Sequence, residues 1–272
     1  MEKLRLAILD MYDGTPNQGM RCIKEILANY AEQVTYRIFD VRQHADLPDM
    51  DFDIYIGTGG PGDPRVGNGK WDKAFYALMT NIVDFNANTE NETKKYVFFI
   101  CHSFQMACAH FGLGQISNRK SISFGTFPVY MTDEGREAIY FQGLNDPFYI
   151  ADFRNFQVTD VTQQQLAKHD SSVLALEKPR PNVPLERAVM AVRFTDEMFG
   201  TQFHPEADGD GMKAWFQTDE KKKQIIEEHG LEKYESMMFD LSDPNKIEKT
   251  QNTILPSFLE HSIEQLMGSL VC

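Results

Sequence analysis

Over the first two-thirds of the chain, apolar stretches and polar breaks alternate between strand and helix spacing. Leu4–Leu9 reads as an apolar strand that runs into a turn-rich stretch at Asp13–Gly19. Met20–Tyr30 carries Cys22, Ile23, Ile26 and Leu27 at the three- and four-residue spacing of one helix face. Val34–Phe39 alternates like a strand, and Asp53–Gly57 is a short apolar strand leading into the glycine- and proline-rich loop Thr58–Pro64. Trp71–Phe85 has a helical pattern, Asn91–Lys95 is a polar connection, Tyr96–Ile100 is an apolar strand and Ser103–Phe111 a helix. Strands that are apolar throughout, separated by helices, predict a parallel sheet covered on both faces.

After Gly112 the texture changes. Ser121–Met131, Ser172–Glu177, Ala188–Phe194 and Phe199–Phe203 read as shorter, mostly antiparallel strands. Beyond Glu206 the chain is helical and charged. Ala214–His229 includes the run Asp219-Glu220-Lys221-Lys222-Lys223, expected to be a solvated helix face. Leu255, Phe258, Leu259, Ile263, Leu266 and Leu270 follow the period of an amphipathic helix. That helix is expected to pack on the domain, with a dimer or partner surface as the alternative.

Composition narrows the function classes. The chain has 272 residues, with 42% hydrophobic and 25% charged positions, which excludes wholesale disorder. A net charge of −13 argues against a general nucleic-acid binder, because nothing offsets repulsion from phosphate. The longest apolar runs, such as Val97–Cys101, fall far short of the roughly 20 residues of a membrane span. The N-terminus reads as a first strand and not as a signal peptide. Cys22, Cys101, Cys108 and Cys272 are too scattered for a disulfide framework, so a reducing cytoplasm is expected. No cysteine pair has zinc-site spacing, and no metal or cofactor is expected.

Three segments carry candidate chemistry. In Tyr96-Val-Phe-Phe-Ile-Cys101-His-Ser-Phe-Gln105 a buried strand ends at Cys101 and a helix begins at once. That puts a thiol in the crevice at the carboxyl end of a parallel strand, beside a helix N-terminus that favours thiolate. In Phe199-Gly-Thr-Gln-Phe-His204-Pro-Glu206 an imidazole sits two residues before a carboxylate, with proline stiffening the pair. Such a histidine can take a thiol proton and later protonate a leaving amine. In Gly59-Gly-Pro-Gly-Asp-Pro64 glycine allows backbone N–H groups to approach a ligand closely. Each segment alone has an ordinary structural explanation: a buried cysteine, a strand-end histidine, a turn.

Together, G-G-P-G-D-P at 59–64, C-x-x-x-Q at 101–105 and Q-F-H-P-E at 202–206 resemble the class I glutamine amidotransferases of the GMP-synthase type, over roughly residues 1–207. The resemblance implies a flavodoxin-like, doubly wound, mostly parallel α/β sheet with a small antiparallel portion, here followed by a charged helical extension over 208–272. It implies that Cys101 attacks the side-chain amide of glutamine or of a γ-glutamyl small molecule. His204 would act as general base and then acid, Glu206 would orient it, and the backbone N–H groups of Gly60 and His102 would form the oxyanion hole. Gln105 matches the residue that helps hold bound glutamine, and Asn155 and Phe156 would supply backbone contacts. Ammonia acceptors in such systems would lie on a separate synthetase subunit, and a homodimer is a further option.

The chain departs from the family's G-x-C-x-G-x-Q at Phe99 and Ser103, where glycine is usual. Phe99 needs space from a smaller neighbour. At Phe153-Arg-Asn-Phe-Gln157 the usual serine–histidine pair is absent, and Arg154 reads either as a partner for a substrate carboxylate or as a surface arginine. These departures keep two alternatives open, a non-catalytic binding module and an acyltransferase on the same fold.

Overall fold

The computed structural model describes residues 3–180 and 184–269. The first apolar run forms strand β1 (Leu4–Asp10), and helix α1 (Gly19–Ala28) buries the face predicted from its spacing. The alternation continues through β2 (Val34–Asp40), α2 (Val41–His44), β3 (Ile54–Gly57), α3 (Trp71–Ala87), β4 (Tyr96–Ile100) and α4 (His102–Phe111). Then come β5 (Gln115–Met131), α5 (Asp133–Glu137), β6 (Phe148–Thr159), α6 (Gln163–Ala167), β7 (Ser172–Glu177), β8 (Val189–Arg193) and β9 (Met198–Thr201). The helical part comprises α7 (Gly209–Phe216), α8 (Asp219–His229), α9 (Leu231–Leu241), α10 (Ile247–Gln251) and α11 (Ile254–Ser269).

Strands β1 to β9 join one sheet in the order β2-β1-β3-β4-β9-β8-β7-β5-β6. The block from β2 to β9 is parallel, and the pairs from β9–β8 onward are antiparallel. Strand β9 thus differs from its expected antiparallel setting: it runs parallel to β4 and antiparallel to β8, and it welds the two portions together. The architecture is the flavodoxin-like α/β arrangement expected from the strand–helix rhythm. Carboxyl ends of the parallel strands open on one edge, where sheets of this kind bind ligands.

Strand β6 is not announced by the hydrophobic pattern. It pairs with β5 from Gln115↔Thr159 to Val129↔Phe148, with a bulge between Asn118 and Ser123. Its period is masked because Asp152 and Arg154 both lie buried in its middle, joined by an ion pair of 2.9 Å.

Two apolar clusters sandwich the sheet. One gathers Ile8, Phe98, Phe199 and the α11 residues Leu255, Phe258, Leu259 and Leu266. The other gathers Tyr55, Phe75, Phe99, Phe104 and Phe194. Helix α11 therefore packs on the domain along its apolar stripe; Leu270 and Cys272 lie outside the described residues. A third cluster joins Phe216, Tyr234, Met237 and Leu241 to Phe124 and Phe153 of β5 and β6. Polar ties fix the same contact: the Thr126 hydroxyl donates to Asp240 at 2.7 Å, Lys246 pairs with Asp240, and the Thr250 hydroxyl donates to the Tyr149 carbonyl. Helix α8 buries only Ile225, and its charged face is solvated. Among the described residues no helix is long and apolar enough to cross a membrane.

Candidate active site

Cys101 sits between β4 and α4 at φ +49° and ψ −95°, a left-handed conformation that costs a non-glycine residue about 1–3 kcal/mol. Neighbouring bonds fix it there. Its N–H donates to the Thr201 carbonyl at 2.8 Å, and its carbonyl accepts from the Gln105 N–H at 3.0 Å. Ser103, one of the two departures from the family motif, adds a clasp. Its hydroxyl accepts from the Ile100 N–H at 2.9 Å and donates to the Gly57 carbonyl at 2.7 Å. The hydroxyl therefore ties the start of α4 to the end of β3.

The other departure is housed by register. Phe99 lies directly between Gly57 on β3 and Gly200 on β9. A Cβ at Gly200 would come within 2.9 Å of the Phe99 Cβ, and one at Gly57 would meet Ser103 at 2.8 Å. Two glycines on flanking strands thus leave the room that the motif's own glycine would have left.

His204 follows β9 and is pinned by its N–H, which donates to the Ala151 carbonyl of β6 at 3.0 Å. Its Nδ1 lies 2.8 Å from Glu206 Oε1, and the ring lines the same cavity as the Cys101 thiol. Burial alone would favour a neutral imidazole. The facing charges of Glu206 and Cys101 outweigh burial and hold the His204 pKa well above its ordinary value. Glu206 is fully buried, and its Oε2 has no hydrogen-bond partner among the described residues. An imidazole set between a carboxylate and a thiol can accept the thiol proton and return it to a leaving group.

The loop after β3 lies flush against this assembly. A Cβ at Gly59 would approach His204 Cε1 to 2.7 Å, and one at Gly60 would approach the Met11 carbonyl oxygen to 2.2 Å. Only glycine lets the backbone pass here. Gly60 lines the same cavity as Cys101 and His204.

The remaining residues singled out from sequence fall elsewhere. Gln105 is buried on α4, and its amide donates to Gln202 Oε1 at 3.0 Å; Gln202 in turn faces the Cys101 sulfur at 3.9 Å. The structure thus places Gln105 behind the thiol, not in the cavity lining. Asn155 and Phe156 line a separate cavity of about 510 Å³ with Gly62, Asp63, Asn118 and Lys120, on the far side of the Gly60–Asp63 turn. The His102 side chain is buried, and burial together with the nearby Arg42 charge pulls its pKa down to about 4. Arg154 is neither at the surface nor facing a ligand: it is buried against Asp152, with Glu177 at 3.6 Å, and donates to the Phe156 carbonyl at 3.0 Å.

A cavity of about 700 Å³ opens over Cys101, His204 and Glu206. Sequence reasoning missed much of its wall: Tyr12, Phe124, Phe153 and, from α7, Met212, Trp215 and Phe216. Tyr12 carried a faint signal, because it closely follows a parallel strand. Burial and then the charges of Glu206 and Cys101 push its phenol pKa well up, so the hydroxyl keeps its proton. Cys22 also lines the cavity, but burial pushes its thiol up to about 11. Cys108 is buried in the core, which likewise raises its pKa. Among the described residues no cluster of His, Cys, Asp and Glu is arranged to hold a metal ion.

A family model described as glutamine amidotransferase class-I matches residues 7–221. No curated protein matches the chain. Among solved structures, a glutamine amidotransferase from Thermotoga maritima is similar over 97% of this chain and 100% of its own, at 14% identity and a TM-score of 0.69. A glutamine amido transferase from Methylobacillus flagellatus matches over 98% of this chain and 95% of its own, at 14% identity and a TM-score of 0.63. The glutaminase domain of Trypanosoma brucei CTPS, solved with bound acivicin, matches over 75% of this chain and 86% of its own, at 15% identity and a TM-score of 0.52. At these identities the structural likeness is one of fold.

Proposed function

Because this chain belongs to the class-I glutamine amidotransferase family, we propose that it hydrolyses the side-chain amide of glutamine or of a related γ-glutamyl amide through a thioester on Cys101. The observation that carries the reading is the meeting of thiol, imidazole and carboxylate in one cavity, from segments about a hundred residues apart.

In this reading the Cys101 sulfur attacks the amide carbon while His204 holds the thiol proton. Backbone N–H groups of Gly60 and His102 receive the developing oxyanion; each such donor is typically worth about 10²–10³ in rate. The imidazolium, held charged by Glu206, gives its proton to the leaving nitrogen, and the amine departs. Water then attacks the thioester with His204 as base, glutamate leaves and the thiol is restored. Splitting the hydrolysis in two replaces one hard step with two easier ones. Gln105 acts indirectly, fixing the Gln202 amide beside the sulfur.

The idea of a non-catalytic module drew on Phe99 and Ser103. Both are accommodated by their neighbours, and Cys101 and His204 still line one cavity, which supports the catalytic reading. Purified protein should release glutamate from glutamine or another γ-glutamyl amide, and Cys101→Ala should abolish the release without loss of fold by circular dichroism. Inactivity on every γ-glutamyl amide, together with a Cys101 that resists a glutamine-mimicking alkylator, would refute the proposal.

A further inference from the structure

The cavity over the thiol must hold the whole substrate, the γ-glutamyl group as well as what leaves; at about 700 Å³ it lies well inside the range of sites built for drug-sized ligands. One side of its wall is apolar and aromatic, made by Pro61, Phe124, Phe153, Met212, Trp215 and Phe216, and faces polar residues of the 15–21 stretch and Asp208. The aromatic side starts at the proton donor itself, because the Phe153 ring centroid lies 6.3 Å from that of His204. Part of the wall is helix α7, which begins only five residues after His204.

The charged and amide side chains of the lining already have partners. Arg21 is bound to Glu25 at 2.6 Å and to Asp208 at 2.8 Å, and Glu206 is bound to His204. Asn17 accepts from the Met20 N–H and donates to the Thr15 carbonyl, while Gln18 accepts from Arg21. Among the lining residues no arginine or lysine is left unpaired for a carboxylate on the leaving group. A carboxylate brought against the aromatic side would gain no ion pair there, whereas an apolar group would remove apolar wall from water.

We propose that the leaving amine is large and apolar, so that the enzyme's substrate is an N-aryl or N-alkyl γ-glutamyl amide in preference to glutamine. This rests on Cys101 being the nucleophile, as proposed above, and adds only what departs. The sulfur bonds to the amide carbon, the C–N bond breaks, and the His204 proton goes to nitrogen. The free amine leaves against the aromatic wall, and water hydrolyses the thioester to glutamate and thiol.

The test is kcat/KM of the full chain on γ-glutamyl anilide, glutamine and γ-glutamylglycine, with glutamate release as the common readout. The anilide should exceed both others at least tenfold, the discrimination that one or two buried methylenes give. Trp215→Ala and Met212→Ala should lower kcat/KM for the anilide several-fold more than for glutamine. Trp215 is 45% exposed, so its truncation leaves the core intact. Glutamine turned over as fast as the anilide or faster would overturn the inference and leave the thioester reading standing; the cavity would then be a docking face for an ammonia acceptor. Glutamate from none of the three would sink both.

Discussion

Replacing Gly200 by alanine tests the packing of β9 against Phe99, two residues before Cys101. The added Cβ would lie 2.9 Å from the Phe99 Cβ, 3.0 Å from the Phe99 carbonyl oxygen and 3.0 Å from Phe104 Cδ2. Favourable carbon–carbon contacts lie at about 3.5–4.0 Å. Two of the three neighbours belong to the β4 main chain or its first side-chain atom and cannot swing away. Overpacking of this kind costs about 1–3 kcal/mol, partly offset by about 0.4–1 kcal/mol from stiffening the unfolded chain. A net loss of about 1–2 kcal/mol follows, or roughly 2–8 °C in Tm for a chain of about this size. Gly268 on α11 is the control: nothing lies within 4 Å of the point a Cβ would occupy, so alanine there should be neutral or stabilising by up to about 1 kcal/mol. Scanning calorimetry and urea midpoints on the two variants give the answer. Because β9 leads to His204 and β4 to Cys101, Gly200→Ala should also slow alkylation of Cys101. Equal stability of Gly200→Ala and wild type, or shifts of the same sign and size at both positions, would refute the reasoning.

Other changes have distinct signatures. Gly60→Ala drives a Cβ into the Met11 carbonyl and should lower kcat about 10²–10³-fold, the typical loss for one oxyanion donor, which steady-state kinetics would read. His102 is held neutral with a pKa of about 4, so folding stability is full above pH 6.5 and is lost as pH falls toward 4. At about 1.36 kcal/mol per pH unit this is worth about 3 kcal/mol, and His102→Gln should remove that slope from urea midpoints taken across the window. His204 shows the opposite sign: its raised pKa gives stability that is fully present below pH 6.5 and lost as pH rises through the folded value. The stability gap between wild type and Glu206→Gln should therefore widen as pH falls to 6.5 and close as it rises. In the same variant the imidazolium-dependent limb of the pH–rate profile should move to lower pH. A gap independent of pH would contradict the assigned ion pair.

Much of the parallel block was legible because β1, β3 and β4 are apolar runs, β2 alternates, and α1 shows one buried face. Cys101 and His204 were legible for the same reason: both stand where an apolar strand stops. The space for Phe99 could be demanded from sequence, but its providers, Gly57 and Gly200, become visible only with the strand order. Strand β6 was hidden because Asp152 and Arg154 neutralise each other inside the fold, so an inward-facing pair looked like a polar surface. The aromatic wall was hidden for another reason. Phe124, Phe153 and Trp215 are about thirty and sixty residues apart, and local periodicity carries no information on which distant segments close over a site. Gln105 shows a limit of motif transfer, since position fixes the residue while a partner such as Gln202 decides what its amide does.

The most direct test of the central claim is intact-mass and peptide mass spectrometry on protein acid-quenched during turnover of the γ-glutamyl amide it hydrolyses fastest. The account predicts a single γ-glutamyl adduct, mapped to Cys101 and absent from Cys101→Ala. Turnover without any adduct, or an adduct on Cys22 or Cys108, would contradict it.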